Sequence, residues 1–564
     1  MDRRIISAAK RLSRKSALRF ARDEDGHIVV FTAIMATLML MLAGVGIDII
    51  NFETVRTKQQ QTLDRATLAA ASLTQELDAE SVVRDYFAKA DMADHLRLVQ
   101  FQRTFNASTV RAEAEIELTP IFMNLYDLSD STKLVARGAS QAEQRINNIE
   151  IMLVLDVSGS MAGTKLTNLK SAASEFIDTV MSQDIENRVS IGIVPYNGQV
   201  NLPQYLQSMF NAEDDHEVDF VNCFDLPATT YNSLTLSRTT PMPVTAHADT
   251  YSTTSTGYIA PTHSNAVVAT GNRWCPPATG HLTGNVIRAP TNNRTALKAH
   301  INGLSAIGAT SINAGLKWGA ALLDPSARSL YTGMVAQGQT PSYFGNRPFE
   351  YNDREAMKII VLMTDGEHFA EERVNEAYRH GTSPIWRANS VNQYSIFHQA
   401  RVNTSSSTNI CNSRPFYVPH LNAWHSRPWN GSNPSSSTCY STTATYTGAT
   451  RQDWQTLWAN VRLSWVAQQF YVRPLGVTQT NQMNAMRSQT PINTMNTQLQ
   501  QVCGLAKARE VMIYGIAFEA PTNGRALIEN CASSPAHYFN AQGLEISTAF
   551  RSIATNISQL KLTQ

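Results

Sequence analysis

Ile149-Glu-Ile-Met-Leu-Val-Leu155, running straight into Asp156-Val-Ser158-Gly-Ser160, is the stretch on which the fold turns. Apart from Glu150, the first part is an apolar run rich in Ile, Leu and Val. It is too short for an ordinary helix and reads as a buried strand. It ends in an acid and a glycine-containing turn. Residues 166–181 then show helical periodicity, and Arg188-Val-Ser-Ile-Gly-Ile-Val194 reads as a second strand. Strand, helix, strand at this spacing predicts an α/β domain: a doubly wound, mostly parallel, Rossmann-like sheet with helices on both faces.

The same alternation resumes downstream. Helices are predicted near residues 296–304 and 311–323, and a strand at Met357-Lys-Ile-Ile-Val-Leu-Met363. A helix near 495–508 precedes the strand Glu510-Val-Met-Ile-Tyr-Gly-Ile-Ala517. A helix at 524–529, a short strand at 537–539 and a helix at 543–560 close the chain. Two stretches break the pattern, at about 211–293 and 367–493, both rich in Ser, Thr, Asn and Pro. Structureless loops of that length are rare in compact domains. They are read as two large insertions, each an inserted subdomain projecting from one domain that spans residues 148–562.

Upstream, Arg3, Arg4, Lys10, Arg11, Arg14, Lys15, Arg19 and Arg22 make residues 1–25 a basic segment. The apolar run from Ile28 to Ile50 follows. A bilayer-spanning helix needs ~20 mostly apolar residues, so residues 26–50 are predicted to be a transmembrane helix. The basic flank predicts a cytoplasmic N-terminus with the bulk of the chain outside. The run is longer than the apolar core of a cleaved signal peptide, and Asp48-Ile-Ile-Asn-Phe52 does not look like a cleavage site. Asp48 is expected near the outer interface, where its carboxylate reaches water. Residues 51–95 read as an extracytoplasmic helix, to about Met92. In residues 96–147 the period falls to two, as in Thr109-Val-Arg-Ala-Glu-Ala-Glu-Ile-Glu-Leu118, predicting a small β-containing stalk domain.

The chain has 564 residues, 16% of them charged, and a net charge of +1. That balance gives no case for nucleic acid as a partner. The six cysteines, Cys223, Cys275, Cys411, Cys439, Cys503 and Cys531, all follow the apolar run, and none forms a C-x-x-C pair. Disulfides suit an extracytoplasmic location. Nearest neighbours are expected to pair, since each successive pair falls within one segment.

Asp156, Ser158 and Ser160 offer a carboxylate and two hydroxyls on one turn at the C-terminal end of a strand, the edge where doubly wound sheets bind ligands. Oxygen-only donors suit a hard divalent cation such as Mg2+, or Mn2+ or Ca2+. Gly308-Ala-Thr310, before a helix, and Thr364-Asp365-Gly366, after a strand, lie at the matching edge. This order, D-x-S-x-S, then Thr in a G-x-T context, then Asp after an apolar strand, resembles the metal-ion-dependent adhesion site of von Willebrand factor A (vWA) domains. The resemblance implies that Asp156, Ser158, Ser160, Thr310 and Asp365 hold the metal. It also implies that one coordination position is left for an acidic side chain of a protein partner.

A second resemblance covers the membrane-proximal part. Gly26, the run ending Gly44-Val-Gly-Ile-Asp48, and the helix with Leu63-Asp-Arg-Ala66 and Leu68-Ala-Ala-Ala71 resemble the N-terminus of TadG-like Flp/Tad pilus-assembly proteins, which pair such an anchor with a C-terminal vWA domain. Cys531-Ala-Ser, Tyr538-Phe-Asn-Ala541 and Leu560-Lys-Leu562 resemble their C-terminus. Pseudopilins of that system carry a Glu soon after a processing glycine. Gly26 is followed by His-Ile-Val-Val-Phe31, which implies a retained anchor. The resemblance implies a bacterial inner-membrane protein, single-pass, with its bulk in the periplasm or at the cell surface, contacting pilus or pilus-assembly components.

Trp454, Trp458 and Trp465 are expected to pack a core rather than present a binding face. His368, His380, His398, His420 and His425 show no zinc-ligand spacing. Nucleophile elbows, Walker loops and H-E-x-x-H are missing from the sequence, so a binding protein is expected rather than an enzyme. The alternatives are a metal-assisted hydrolase using Asp156 and Asp365, and a structural stalk in which the metal is incidental.

Overall fold

Strict alternation shapes the membrane-proximal part. In a computed structural model of the chain, Val110, Ala112, Ala114 and Ile116 point to one side of a strand and are buried, while Arg111, Glu113, Glu115 and Glu117 take the other face. The structure describes residues 26–558 except 73–74, 76, 104–106, 127–132, 146–147, 183, 185–186, 214–217, 219, 254, 354, 404–408 and 433–438. The basic segment 1–25, the end of the helix expected at 543–560, and Leu560-Lys-Leu562 lie outside the described residues. The chain divides into two compact units, Met1–Arg145 and Ile146–Gln564.

In the first unit, α1 (Gly26–Ala70) is a single helix of 45 residues. At ~1.5 Å per residue it is about 68 Å long, roughly twice the ~30 Å of a hydrocarbon core. Its first half is apolar and uncovered, with Val29, Phe31, Leu40 and Ile50 exposed, and it is long and apolar enough to cross a membrane. Its second half covers residues 51–70 of the helix expected from residue 51 to about 92, as an outward continuation of the apolar half. That expectation is corrected: α1 stops at Ala70, and α2 (Ala79–Lys89) begins anew behind Asp78, whose carboxylate accepts from the Ser81 N–H. Strands β1 (Leu96–Arg103) and β2 (Ala107–Leu118), the short helix α3 (Ile121–Tyr126) and β3 (Leu134–Arg145) follow. The strands form an antiparallel sheet in the order β1-β2-β3. Its apolar face packs on Leu63, Ala66 and Ala70 of α1 and on Val83 and Phe87 of α2.

Asp48 also departs from expectation. It is buried, and its carboxylate accepts from the N–H groups of Ile121, Phe122 and Met123 at 3.0, 2.8 and 2.7 Å. Three otherwise unpartnered donors at the start of α3 are thereby satisfied, which explains why a carboxylate tolerates burial there. Gly44, one turn earlier, permits the approach: a Cβ on it would stand 2.7 Å from the Phe122 ring.

The second unit is built on β4 (Asn148–Asp156), buried along nearly its whole length. It continues through α4 (Thr164–Met181), β5 (Val189–Tyr196), the edge strand β6 (Arg288–Thr291), α5 (Arg294–Gly303), α6 (Ile312–Leu323) and β7 (Ala356–Thr364). The second insertion carries a five-stranded antiparallel sheet from β8 (Thr382–Ala388), β9 (Tyr394–Phe397), β10 (Phe416–Val418), β11 (Ala423–His425) and β12 (Ala449–Asp453). Then come α7 (Ile492–Lys507), β13 (Met512–Phe518), α8 (Thr522–Cys531), β14 (Tyr538–Ala541) and α9 (Glu545–Ser558). The main sheet runs β14-β13-β7-β4-β5-β6. All its pairings are parallel except β5 with β6. Met152 and Val154 of β4 pack in the core with α6. Ile151 and Leu153, which alternate with them, are equally buried, so both faces of the strand are covered.

The two insertions do not stand apart as projecting subdomains. Phe224, Leu226, Tyr231 and Val244 of the first join the core of the main sheet, where Phe224 stacks on Trp318 of α6 at 6.4 Å. Ala246, Ala248 and Ala266 join the core of the second insertion, beside Ile385, Trp454, Trp458 and Trp465. A buried ion pair, Asp225–Arg379 at 3.0 Å, ties the two insertions together. The first insertion thus divides its apolar residues between two neighbouring cores, while the second has a core of its own. Disulfides join Cys223–Cys275, Cys411–Cys439 and Cys503–Cys531.

Candidate metal centre

Neighbouring parallel strands bring the two acids together. β4 and β7 pair with Leu155 opposite Met363, so Asp156 and Asp365 emerge side by side at the carboxyl edge of the sheet. Asp156 is fully buried. Its Oδ1 accepts from the Ser158 N–H at 2.8 Å and its Oδ2 from the Thr364 hydroxyl at 2.7 Å. Burial, with the nearby charge of Asp365 adding to it, pushes the Asp156 carboxyl up to about 7. The Asp365 Oδ1 accepts from the Ser160 hydroxyl at 2.7 Å, and the hydroxyl oxygens of Ser158 and Ser160 lie 3.0 Å apart.

Thr310 arrives by another route. Gly308, at φ 87°, turns the chain ahead of α6 in a conformation that suits glycine. Its carbonyl accepts from the Gly159 N–H at 2.9 Å, and the Ile307 N–H donates to the Val157 carbonyl at 2.8 Å. The Phe369 N–H donates to the Thr310 carbonyl at 3.0 Å. A methyl group placed on Gly366 would stand 3.9 Å from both the Ser160 and the Thr310 hydroxyl oxygens, so the two face the same point. The structure thus brings Asp156, Ser158, Ser160, Thr310 and Asp365 together, with Gly159, Ser160 and Glu367 on the exposed side.

The donor chemistry fits a hard divalent cation. Two carboxylates and three hydroxyls converge, all oxygen. Hydroxyl and carboxylate oxygens suit hard ions rather than soft ones; among the described residues no group of three or more His, Cys, Asp or Glu is arranged to hold a metal. Two buried like charges repel, and a cation between them would favour the ionised form of Asp156.

Two residues of the site, Lys165 and Glu519, escape the sequence reading, and a third, His368, has a structural role there. Lys165, in the first turn of α4, donates to Asp365 Oδ2 at 2.8 Å. Glu519, just after β13, lies 3.8 Å from the Lys165 ammonium. Its position repeats that of Asp156 and Asp365, an acid at the end of a buried strand, and this was the available signal. His368, which shows no metal-ligand spacing in the sequence, is a buried core residue. Its Nε2 accepts from the Asn313 N–H at 3.0 Å in the first turn of α6, and its Nδ1 bonds Asn496 Oδ1 of α7 at 2.7 Å. It therefore ties the Asp365 loop to two helices. The first insertion also walls the site: Trp274, beside Cys275, packs 6.2 Å from the half-exposed ring of Phe369.

Among solved structures the chain is similar to the vWF domain of the type V pili tip protein Mfa5 from Porphyromonas gingivalis, at 12% identity and a TM-score of 0.29, covering 73% of this chain and 96% of that one. It is similar to the pilus adhesin SpaC from Lactobacillus rhamnosus GG at 11% identity and a TM-score of 0.27, covering 82% of this chain and 34% of that one. For the pilus adhesin RrgA from Streptococcus pneumoniae the identity is 10% and the TM-score 0.29, covering 82% of this chain and 50% of that one. No curated protein sequence matches the chain. The model of the family described as putative Flp pilus-assembly TadE/G-like matches residues 26–73, from the start of α1 to just beyond its end. The chain carries, at its N-terminus, the TadE/G-like segment of Flp pilus-assembly proteins.

Proposed function

We propose that this is a membrane-anchored binding protein of a Tad-type pilus system whose second unit binds a divalent cation, Mg2+ or a similar hard ion, and through it an acidic side chain of a protein partner. The observation that carries the reading is the convergence of Asp156, Ser158, Ser160, Thr310 and Asp365 at the carboxyl edge of the sheet, with two buried carboxylates side by side. Such a cation would draw on Ser158, Ser160 and Thr310 directly or through water. Hydroxyl ligands leave it electron-poor, so it attracts an incoming carboxylate. The chain's own part is to orient these oxygens: Thr364 and the Ser158 N–H fix Asp156, and the Gly159–Gly308 backbone contact holds the hydroxyl loops together. Three of the five converging side chains are hydroxyls, in keeping with binding rather than hydrolysis. The apolar half of α1 and the TadE/G-like match support a single-pass anchor in a bacterial inner membrane, with the rest of the chain on the periplasmic side.

The test is calorimetric titration of Mg2+ into the full-length protein in detergent, beside the variant Ser158→Ala/Ser160→Ala. Wild type is expected to bind one equivalent and the variant none, with unchanged thermal unfolding in chelator. Equal binding by both would refute the assignment.

A further inference from the structure

Lys165 is the only side-chain cation bonded to either carboxylate of the candidate centre among the described residues, and the sequence motif does not call for it. Its ammonium sits 2.8 Å from Asp365 Oδ2, on a carboxylate whose side chain is fully buried, while Lys165 itself is 24% exposed. Asp365 Oδ1 is already engaged by Ser160. Both oxygens of this acid are therefore committed, one of them to a positive charge. A second acceptor stands close by. Glu519 Oε2 is 3.8 Å from the same ammonium, too far for a good hydrogen bond but within reach of a small shift of a flexible four-carbon side chain. Glu519 is also fixed in place. Its backbone lies at φ 53°, a region that side-chain-bearing residues seldom adopt. It is held there by its N–H, which donates to the Ala541 carbonyl at 2.9 Å, and by its Oε1, which accepts from the Gly543 N–H at 3.0 Å. The oxygen left over is the one that faces Lys165.

We propose that Lys165 is a built-in competitor for the cation: its ammonium holds Asp365 Oδ2, and it moves across to Glu519 when a divalent cation enters the centre. This rests on the metal-site reading above. A divalent ion beside Asp365 repels the ammonium, so binding must break the Lys165–Asp365 contact and is helped by whatever Glu519 offers in return. Lys165 and Glu519 are thus positioning residues that set the affinity and do not ligate the ion. The pair gives the centre a threshold: the cation concentration needed to fill it is higher than the ligand set alone would require.

The experiment is titration of Mn2+ and Mg2+ into the full-length protein in detergent, comparing wild type, Lys165→Met, Glu519→Gln and the double variant. Lys165→Met is expected to bind roughly tenfold more tightly than wild type, and Glu519→Gln several-fold more weakly. In the Lys165→Met background the Glu519→Gln change is expected to have no effect, because the ammonium it receives is gone. Binding by wild type with equal or weaker binding by Lys165→Met overturns the proposal and leaves the metal site standing. Failure of every variant and of wild type to bind overturns both. Should Lys165→Met not fold, Glu519→Gln decides alone: unchanged affinity refutes the exchange.

Discussion

His368 sits at the joint between the Asp365 loop and the helices behind it, and its protonation state is set by packing. Burial holds the imidazole at about 4, below its ordinary value, and the geometry requires a neutral ring: Nε2 accepts from Asn313 while Nδ1–H donates to Asn496. In the unfolded chain a histidine takes up its proton near pH 6.5. Between those two values the unfolded chain binds more protons, so the contribution is complete above about pH 6.5 and is lost as pH falls toward 4. His368→Gln should therefore lower the melting temperature most at pH 7 and least near pH 4, measured by thermal unfolding across that range. A pH-independent difference would contradict this. At this scale Asp156, Ser158, Ser160, Thr310 and Asp365 were legible from the sequence because the motif fixes residue type and spacing. Lys165 and Glu519 were not, nor were the partners of His368. Their roles depend on which loops meet at the sheet edge, and a lysine in a helical first turn looks in sequence like any solvated charge.

Elements were legible wherever a period ran unbroken. The strands β4, β5, β7 and β13 and the helices α6 and α7 fall close to their predicted places, because buried parallel strands read as short apolar runs. The end of α1 was not legible, because the Ala-rich sequence up to Ala71 gives no stop signal of its own and the break depends on Asp78 capping a new helix. Asp48 makes the same point. Its position in an apolar run suggested an interfacial carboxylate, yet it caps α3, more than seventy residues downstream. Asp48→Ala strands three backbone donors and should cost about 1–2 kcal/mol, seen as earlier loss of helicity on heating. Asp48→Asn, which keeps an acceptor oxygen, should recover part of that. Equal stability of wild type and Asp48→Ala would show the cap to be irrelevant.

For the whole molecule, the α/β alternation was legible in the sequence, but not the way residues 211–293 and 367–493 pack on each other. Contacts such as Asp225–Arg379 and Phe224–Trp318 join residues far apart in the chain and leave no local pattern. One of the three disulfides, Cys503–Cys531, lies in the core of the main sheet. Cys503 of α7 and Cys531 of α8 are both fully buried and close a span of 28 residues. Replacing the pair by alanine should lower stability by about 2–4 kcal/mol, measured by denaturant unfolding, while leaving Mg2+ affinity within about twofold. A large loss of affinity would mean that the bridge shapes the site.

On the proposed reading, a hard divalent cation would be held at the carboxyl edge of the sheet by Ser158, Ser160 and Thr310, with Asp156 and Asp365 behind them. Anomalous X-ray scattering from crystals of the full-length protein grown with Mn2+ tests it most directly. The account predicts a peak about 2.2 Å from the three hydroxyl oxygens, absent from crystals of Ser158→Ala/Ser160→Ala. A well-ordered site with no peak, or a peak elsewhere on the molecule alone, would contradict it.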